Sequence, residues 1–210
     1  MKSDFSGLKI SEAMRSLFSE TEQKKYIESG DYSALALAQL YISRLHLQGV
    51  AAPQLDSSYD LSQLSLSYLK LFFPSSVAKR SFLYLQSLIA ADFGESYFTD
   101  RTGLASYLLV QTTGGKGLLR YGREYLLTKG DVFFIDCMQH HRYQTAAAEG
   151  WAYRLIHFLG APMSDFFRYL SKAETYVFHF EENSAFTQLF EEVFQRNKAD
   201  DPGCEIDTHC

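Results

Sequence analysis

The stretch "GLLRYGREYLLTKGDVFFIDC", Gly117 to Cys137, decides the fold class. It contains three short segments rich in aromatic and branched apolar residues, "LLRY", "EYLL" and "VFFI". Gly122-Arg123 and Lys129-Gly130-Asp131 separate them. Segments of this kind, bounded by turn residues at intervals of roughly ten residues, are typical of strands joined by hairpins. With no helix between them, they predict an antiparallel sandwich or barrel.

The same pattern continues on both sides of this stretch. "SYLLVQTT" precedes it, and "HRYQT" and "WAYRLIHF" follow it. After Pro162, helical patterns return in "MSDFFRYLSKA" and "SAFTQLFEEVFQRNKA", with a strand "TYVFHF" between them. We therefore predict a β domain over residues 76–162 and a C-terminal helical segment, expected to serve in dimerisation, over residues 163–210.

The N-terminal part has a different pattern. Asp31 can cap a helix that runs to about Leu47 and ends at Gly49. Residues 50–60 are predicted to form a loop. "LSQLSLSYLKLFF" then resumes a helical pattern up to Pro74. We predict a helical N-terminal segment over residues 1–75.

Charge and cysteine content exclude several classes of protein. The net charge of −5 argues against nonspecific binding to nucleic acid, which needs a face rich in lysine and arginine. No run approaches the roughly 18 apolar residues of a membrane span, so no membrane association is expected. Cys137, Cys204 and Cys210 are odd in number and lack zinc-site spacing. Reduced thiols in a cytoplasmic protein are the expectation.

A metal site is an alternative interpretation of the histidines. The candidate ligands are Asp136, Cys137, His140, His141 and His157. A catalytic metal in a small barrel needs three or four ligands from neighbouring strands, yet residues 111–129 contain no histidine and one carboxylate, Glu124. Adjacent residues on a strand point to opposite faces, so His140 and His141 cannot both face inward without a kink. We expect no metal, no cofactor and no catalytic residue; a metal-dependent enzyme is the alternative.

The segment "WAYRLIHF" indicates a binding surface. As a strand it places Trp151, Tyr153, Leu155 and His157 on one face. Broad aromatic surface with a few polar tips suits a cavity for a polar molecule with an apolar face, such as a sugar. Tyr143 joins this face if its strand has the matching register. The alternative, left open here, is that Trp151 and Tyr153 are core residues with satisfied polar groups.

From about Phe82 to Phe167 the sequence resembles the N-terminal effector-binding domain of AraC-type bacterial transcription regulators. "YFTDR" carries the arginine, Arg101, that precedes the family's first barrel strand. The Gly-x-Gly turn at Gly115 and the Gly-Asp turn at Gly130 follow. "GWAYRLIHFLGAP" is similar to the family's tryptophan-led strand ending in His-Phe-x-Gly. Each motif is weak alone, but together they occur in the family's order.

The resemblance implies a cupin-like antiparallel β-barrel, preceded here by the helical segment and followed by the C-terminal helices. It implies a non-enzymatic protein that binds a small effector, commonly a sugar, inside the barrel. Together with the strand pattern, it gives the expected ligand-binding residues Arg101, His141, Tyr143, Trp151, Tyr153, Leu155 and His157.

The resemblance also implies homodimerisation through the C-terminal helices. "FTQLFEEVF" offers an apolar stripe of Phe186, Leu189, Phe190 and Val193, although packing against the barrel explains it equally well. The family's DNA-binding half consists of two helix-turn-helix units and is longer than the segment that follows the barrel. We expect a sensor domain that reaches DNA only through a domain absent from this chain. A stand-alone carbohydrate-binding module is a further alternative.

Overall fold

The computed structural model describes residues 56–60, 63–72 and 76–197. In chain order the elements are β1 (Asp56–Asp60), β2 (Leu64–Leu71), α1 (Ser76–Ser81), β3 (Tyr84–Phe93), β4 (Phe98–Thr102), β5 (Tyr107–Gly115), β6 (Gly117–Tyr121), β7 (Arg123–Leu127), β8 (Asp131–Asp136), β9 (His141–Thr145), β10 (Trp151–Leu159), α2 (Met163–Ser171), β11 (Val177–His179) and α3 (Ala185–Arg196). Within these ranges, none of the helices combines the length and apolar character that crossing a membrane requires.

The strands form two antiparallel sheets that face each other. One has the order β1-β4-β9-β6-β7 and the other β11-β8-β5-β10-β3-β2. Tyr143 of the first sheet lies 6.3 Å from Trp151 and 5.8 Å from Phe133 of the second, measured between ring centroids. Over the described ranges the sheets remain separate hydrogen-bonded units, so the architecture is a sandwich and the closed barrel is not observed. The predicted mainly β fold with flanking helices is confirmed.

The predicted strands and helices from residue 106 onward coincide closely with β5 to β10, α2 and α3. Turn glycines explain this agreement. Gly122, between β6 and β7, has φ +68°, and Gly130, before β8, has φ +92°; both lie in the left-handed region that glycine adopts without steric cost. Gly117 is needed for a different reason, because a Cβ there would overlap the ring of Trp151.

Helix α3 covers the outer face of the six-stranded sheet. Phe190 and Phe194 are buried there against Leu88 and Ile156. Of the predicted stripe, Phe186 and Val193 are also packed against this cluster, whereas Leu189 is 62% exposed. Core packing, the alternative to dimerisation at the sequence level, therefore accounts for most of the stripe.

Polar contacts fix the position of α3 on the sheet. Arg154 of β10 pairs with Glu191 in the middle of the helix. At its C-terminal end, the hydroxyl of Tyr68 and the Nζ of Lys70 each donate a hydrogen bond of 2.8 Å to the carbonyl of Asn197. Both donors lie on β2, and a lysine at this position complements the negative end of the helix dipole. The helix is thus tied to two strands of one sheet.

The helical prediction for residues 61–73 is wrong, and the predicted loop at residues 50–60 ends in a strand. β1 and β2 occupy these positions, and β2 pairs with β3 so that Leu64 lies opposite Phe93. The sequence "LSLSYLKL" alternates apolar and polar residues at its start, which is the period of a strand, but its later leucines also fit helical spacing. A register shift between Leu66 and Tyr68 interrupts the alternation. The predictions for residues 1–55 lie outside the described residues.

The resemblance implied that Arg101 precedes the first strand of the barrel. In the structure Arg101 lies within β4. Four strands precede β5, and β3 and β4 were not predicted. The sheets therefore include residues 56–60 and 64–71, which the sequence placed in a separate helical segment.

Candidate ligand-binding site

The inner face of β10 carries the four predicted residues. Trp151, Tyr153, Leu155 and His157 are 1%, 2%, 4% and 2% exposed, so all four are buried between the sheets. Arg154, on the opposite face, reaches α3. The alternation predicted from the sequence is confirmed.

An aromatic cluster, defined as Phe93, Tyr97, Trp151 and Tyr153, fills one part of the interior. The rings of Phe93 and Tyr153 are stacked with their centroids 4.5 Å apart, and the hydroxyls of Tyr97 and Tyr153 are 2.6 Å apart. Trp151 Nε1 donates to Thr112 Oγ1 at 3.2 Å. The polar groups of Trp151 and Tyr153 are therefore satisfied within the protein, as the core interpretation expects.

A basic cluster, defined as Arg101, His141 and His157, occupies another part. Arg101 on β4 lies directly opposite His141 on β9, and both side chains are buried, at 7% and 0% exposure. His157 of β10 enters from the facing sheet, with Nδ1 2.8 Å from Ser106 Oγ. Burial, followed by the charge of Arg101, holds the pKa of His157 well below its ordinary value. Its imidazole is neutral at neutral pH.

The tautomer of His141 follows from its hydrogen bond. Nδ1 lies 2.9 Å from the carbonyl oxygen of Gln139, which can only accept, so Nδ1 carries the hydrogen and donates. Burial lowers the pKa of His141 to about 4, against the opposing effect of this hydrogen bond. The remaining nitrogen, Nε2, is a buried acceptor that no donor among the described residues contacts. It is available to a hydrogen-bond donor on a ligand.

Tyr143 lies between the two clusters. Its ring stacks on His141, with centroids 6.1 Å apart, and its centroid is 6.4 Å from that of Tyr153. Burial raises the pKa of the phenol, and the nearby charge of Arg101 acts in the opposite direction. The phenol is protonated at neutral pH and can donate a hydrogen bond.

The outer face of the same two strands carries a second set of charged residues. His140 is exposed, with Nε2 2.8 Å from Asp100 Oδ1, and Arg142 Nη1 lies 3.3 Å from Asp100 Oδ2. The guanidinium of Arg142 also lies over the ring of Phe98, 4.7 Å from its centroid. His140 and His141 thus face opposite sides, as the strand geometry requires. The outer pair His140 and Arg142 matches the inner pair His141 and Arg101 in residue type.

The candidate metal ligands do not converge. His140 faces outward, and the carboxylate of Asp136 accepts a hydrogen bond of 2.9 Å from the backbone N–H of Met138. Cys137 is fully buried, and burial raises the pKa of its thiol to about 12. Across residues 56–60, 63–72 and 76–197, no three His, Cys, Asp or Glu side chains are grouped so as to hold a metal ion.

Two inner-face residues on or near β4 were missed from the sequence. Tyr97 and Thr99 are buried, and their hydroxyls lie 3.2 Å apart. In "YFTDR" the buried residues Tyr97, Thr99 and Arg101 alternate with Phe98 and Asp100. This period of two is the signal that could have identified both the strand and its inward face.

Comparison with known proteins places the chain in a family. The AraC-like ligand binding domain profile matches residues 84–208. No curated protein matches the chain. Similar solved structures include an HTH_3 family transcriptional regulator from Vibrio cholerae, with 12% identity over 49% of this chain and 53% of that chain and a TM-score of 0.37. The protein YhaK from Escherichia coli is 14% identical over 46% of this chain and 45% of that chain, with a TM-score of 0.39.

A third similar structure is the Cupin_2 domain of an XRE family transcriptional regulator from Enterobacter cloacae. It is 11% identical over 43% of this chain and 93% of that chain, with a TM-score of 0.34. The chain spans about half the length of the Vibrio and Escherichia proteins. The family profile, in contrast, covers more than half of this chain and includes β3 to β11 and both C-terminal helices. The chain therefore belongs to the family of AraC-like ligand binding domains.

Proposed function

We propose that the chain is the effector-binding sensor domain of an AraC-type transcription regulator in the cytoplasm. Its effector is a small polar molecule, such as a sugar, that binds between the two sheets. Family membership supports small-molecule binding. The observation that carries the proposal is the buried Nε2 acceptor of His141, which lies beside Arg101 and Tyr143 on the inner face. Burying an acceptor without a donor costs free energy, and a ligand donor would recover it.

The inner-face residues divide the contacts with the effector. The guanidinium of Arg101 donates hydrogen bonds to ligand oxygens, and His141 Nε2 accepts one from a ligand hydroxyl. Tyr143 donates a further hydrogen bond. The rings of Trp151 and Tyr153 provide apolar surface for stacking, and Leu155 and His157 complete the same face.

The protonation states of the interior favour binding over catalysis. The thiol of Cys137, with its pKa raised to about 12 by burial, is not a nucleophile at neutral pH. His141, with its pKa lowered to about 4, is a weak base. These groups act as fixed hydrogen-bond partners, and we propose a non-enzymatic role. A stoichiometric transition metal in the purified protein, detected by elemental analysis, would contradict it.

Strand β10 connects the effector site to the helices. Its inner face carries Tyr153 and Leu155, and its outer face carries Arg154, which pairs with Glu191 of α3. A ligand changes regulation only if it prefers one arrangement of such elements over another. We propose that the effector acts on α3 through this strand.

Calorimetric titration with a panel of aldoses, polyols and sugar acids tests the binding site. For any ligand found, Arg101→Ala should lower the affinity about 10- to 100-fold, since charge-assisted hydrogen bonds contribute roughly 1.5–3 kcal/mol. Arg142→Ala, on the outer face, is the matched control and should leave the affinity unchanged. Equal affinity in the Arg101 variant and the wild type would refute the role of Arg101.

We also propose that the chain acts as a homodimer. The exposed apolar side chains of the C-terminal helices are Phe166 and Tyr169 on α2, at 52% and 71% exposure, and Leu189 on α3. Sedimentation equilibrium of Leu189→Glu should show a weaker dimer, because a charge would be buried at the interface. Gln188→Glu adds the same charge at the neighbouring position and is the control. An unchanged association constant for Leu189→Glu would exclude this surface.

A further inference from the structure

Strand β3 contains a β-bulge that turns two consecutive polar residues towards the interior. In the pairing of β3 with β10, Ser87 lies opposite His157, and Gln86 is an extra residue with no opposite residue on β10. Leu85 and Leu88, on either side, both pack against the cluster under α3 on the outer face. Gln86 and Ser87 are themselves buried, at 6% and 0% exposure. A bulge re-aims side chains in this way and is over-represented beside active sites.

Each bulge residue has a buried polar atom without a hydrogen-bond partner among the described residues. These atoms are Gln86 Oε1 and Ser87 Oγ. The amide nitrogen of Gln86 is already engaged, because Nε2 donates to the carbonyl oxygen of Ala105 at 3.1 Å. Oε1 can only accept, whereas the Ser87 hydroxyl can donate or accept. Burying such atoms without partners costs free energy, which a ligand would recover.

The bulge and the acceptor of His141 border the same part of the interior. Ser87 and His157 are directly opposite on neighbouring strands, so their side chains share the inner face of the six-stranded sheet. His141 lies on the facing sheet. The pKa of His157 is lowered mainly by burial, then by the charge of Arg101, and then by that of His141, as expected for imidazoles that lie near each other.

The unpaired atoms define the groups that a ligand must carry. His141 Nε2 and Gln86 Oε1 only accept, so each requires a separate donor. A ligand that satisfies both has at least two donating groups. Hydroxyls suit this interior better than ammonium groups, because no aspartate or glutamate is buried among the described residues to neutralise a cationic ligand.

We propose that Gln86 and Ser87 are ligand-binding residues and that the effector is a polyhydroxy compound held by two donated hydrogens. One ligand hydroxyl donates to Gln86 Oε1 and a second donates to His141 Nε2, while the Ser87 hydroxyl bonds to a ligand oxygen. This inference rests on the proposed function, namely that the effector binds between the two sheets. It adds β3 to the strands that contact the effector.

Calorimetric titration with aldopentoses, aldohexoses and alditols, followed by deoxyfluoro analogues of the tightest ligand, tests the donated hydrogens. Fluorine replaces a hydroxyl with a small group that cannot donate. We expect at least two positions at which fluorination lowers the affinity about 5-fold or more. Fewer than two sensitive positions would overturn the assignment of two donors. These comparisons use the unmodified protein, so they do not depend on a variant that folds.

Substitutions then assign the two sensitive hydroxyls to residues. Gln86→Met should lower the affinity for the parent ligand about 5-fold, and fluorination at one sensitive position should then have no further effect. His141→Phe should do the same for the other position. Gln144→Met is the matched control, because Gln144 bonds to Arg142 on the outer face. Wild-type affinity in Gln86→Met, with both positions still sensitive, would overturn the role of Gln86.

The stability of the unliganded protein provides a test that needs no ligand. Ser87→Ala removes a buried hydroxyl that has no partner to lose, so the midpoint of urea denaturation should not fall. Ser67→Ala is the control, because its hydroxyl donates to the carbonyl oxygen of Ala90 at 2.8 Å. A lower midpoint for Ser87→Ala would show that its hydroxyl is satisfied without a ligand, and would overturn its assignment.

The outcomes separate this inference from the proposed function. If a polyhydroxy ligand binds with the same affinity to the wild type, Gln86→Met and Ser87→Ala, the inference is overturned and the proposed function stands. If none of these compounds binds, both the inference and the sugar-sensing function are rejected. Circular dichroism confirms that each variant is folded.

Discussion

The aromatic cluster and the basic cluster are equally buried but differ in how their polar atoms are satisfied. In the aromatic cluster, the Tyr97 and Tyr153 hydroxyls bond each other and Trp151 Nε1 donates to Thr112. In the basic cluster, His141 Nε2 is buried without a donor from the described residues. Burial alone does not distinguish a core from a binding site. Hydrogen bonding separates these two clusters, because the large majority of buried polar atoms in folded proteins have a partner.

The largest effect is expected when the aromatic cluster is truncated. Trp151→Ala should lower the free energy of unfolding by about 3–5 kcal/mol, because it removes a fully buried ring and leaves a cavity over Gly117. Urea denaturation measures the change. His141→Phe keeps a ring of similar size in the basic cluster and should cost much less. Similar losses in the two variants would remove the contrast between a structural cluster and a binding cluster.

Acid should destabilise the protein through the basic cluster. The pKa of His141 is about 4 in the folded state, below the ordinary value of 6.5 that applies in the unfolded state. Well above pH 6.5 neither state is protonated at this residue. As the pH falls from 6.5 towards 4, the unfolded state takes up the proton first, so stability is lost. Between pH 7 and pH 5, His141 contributes about 2 kcal/mol to this loss of unfolding free energy.

Urea denaturation at several pH values measures this dependence. His157, whose pKa burial also lowers, acts in the same direction, so the wild type should lose stability through both residues. His141→Gln should reduce the slope of the unfolding free energy against pH by about one proton near pH 5. His140→Gln, on the exposed outer face, is the matched control. A slope unaffected by His141→Gln would show that this residue is not held neutral in the folded state.

The smallest effect is expected for a hydroxyl of the aromatic cluster. Tyr153→Phe keeps the ring stacked on Phe93 but removes the hydrogen bond to Tyr97, so it should cost about 1 kcal/mol of stability. Ligand affinity, measured by calorimetry, should change less than twofold, because the Tyr153 hydroxyl is already bonded within the protein. A larger loss of affinity would show that the hydroxyl of Tyr153, and not only its ring, contacts the ligand.

The sequence predicted the later strands because their signals are local. Glycines at Gly122 and Gly130 mark turns, and "WAYRLIHF" alternates cleanly. β2 was missed because "LSLSYLKL" fits both a strand and a helix, and only its pairing with β3 decides between them. The alternation in "YFTDR" is a signal for β4, but the segment is too short for the pattern to be distinctive. Local pattern therefore identified the strands from β5 onward better than the first four strands, β1 to β4.

The residues of the inner face were predictable, but their separate roles were not. Strand alternation identified Trp151 and Tyr153 as inward-facing residues. Their hydrogen-bond partners, Thr112 and Tyr97, lie 39 and 56 residues away in the sequence. The free acceptor on His141 depends likewise on the backbone conformation at Gln139 and on what the facing sheet brings near it. Such relationships arise only once the strands are paired and the sheets are packed.

Trp151 gives the protein a built-in optical reporter. It is the single tryptophan of the chain, and its indole is buried between the sheets beside Tyr153. Selective excitation of indole would therefore yield an emission spectrum that comes from this one position. Quenching or a spectral shift on addition of an effector would follow occupancy of the interior directly, without a label.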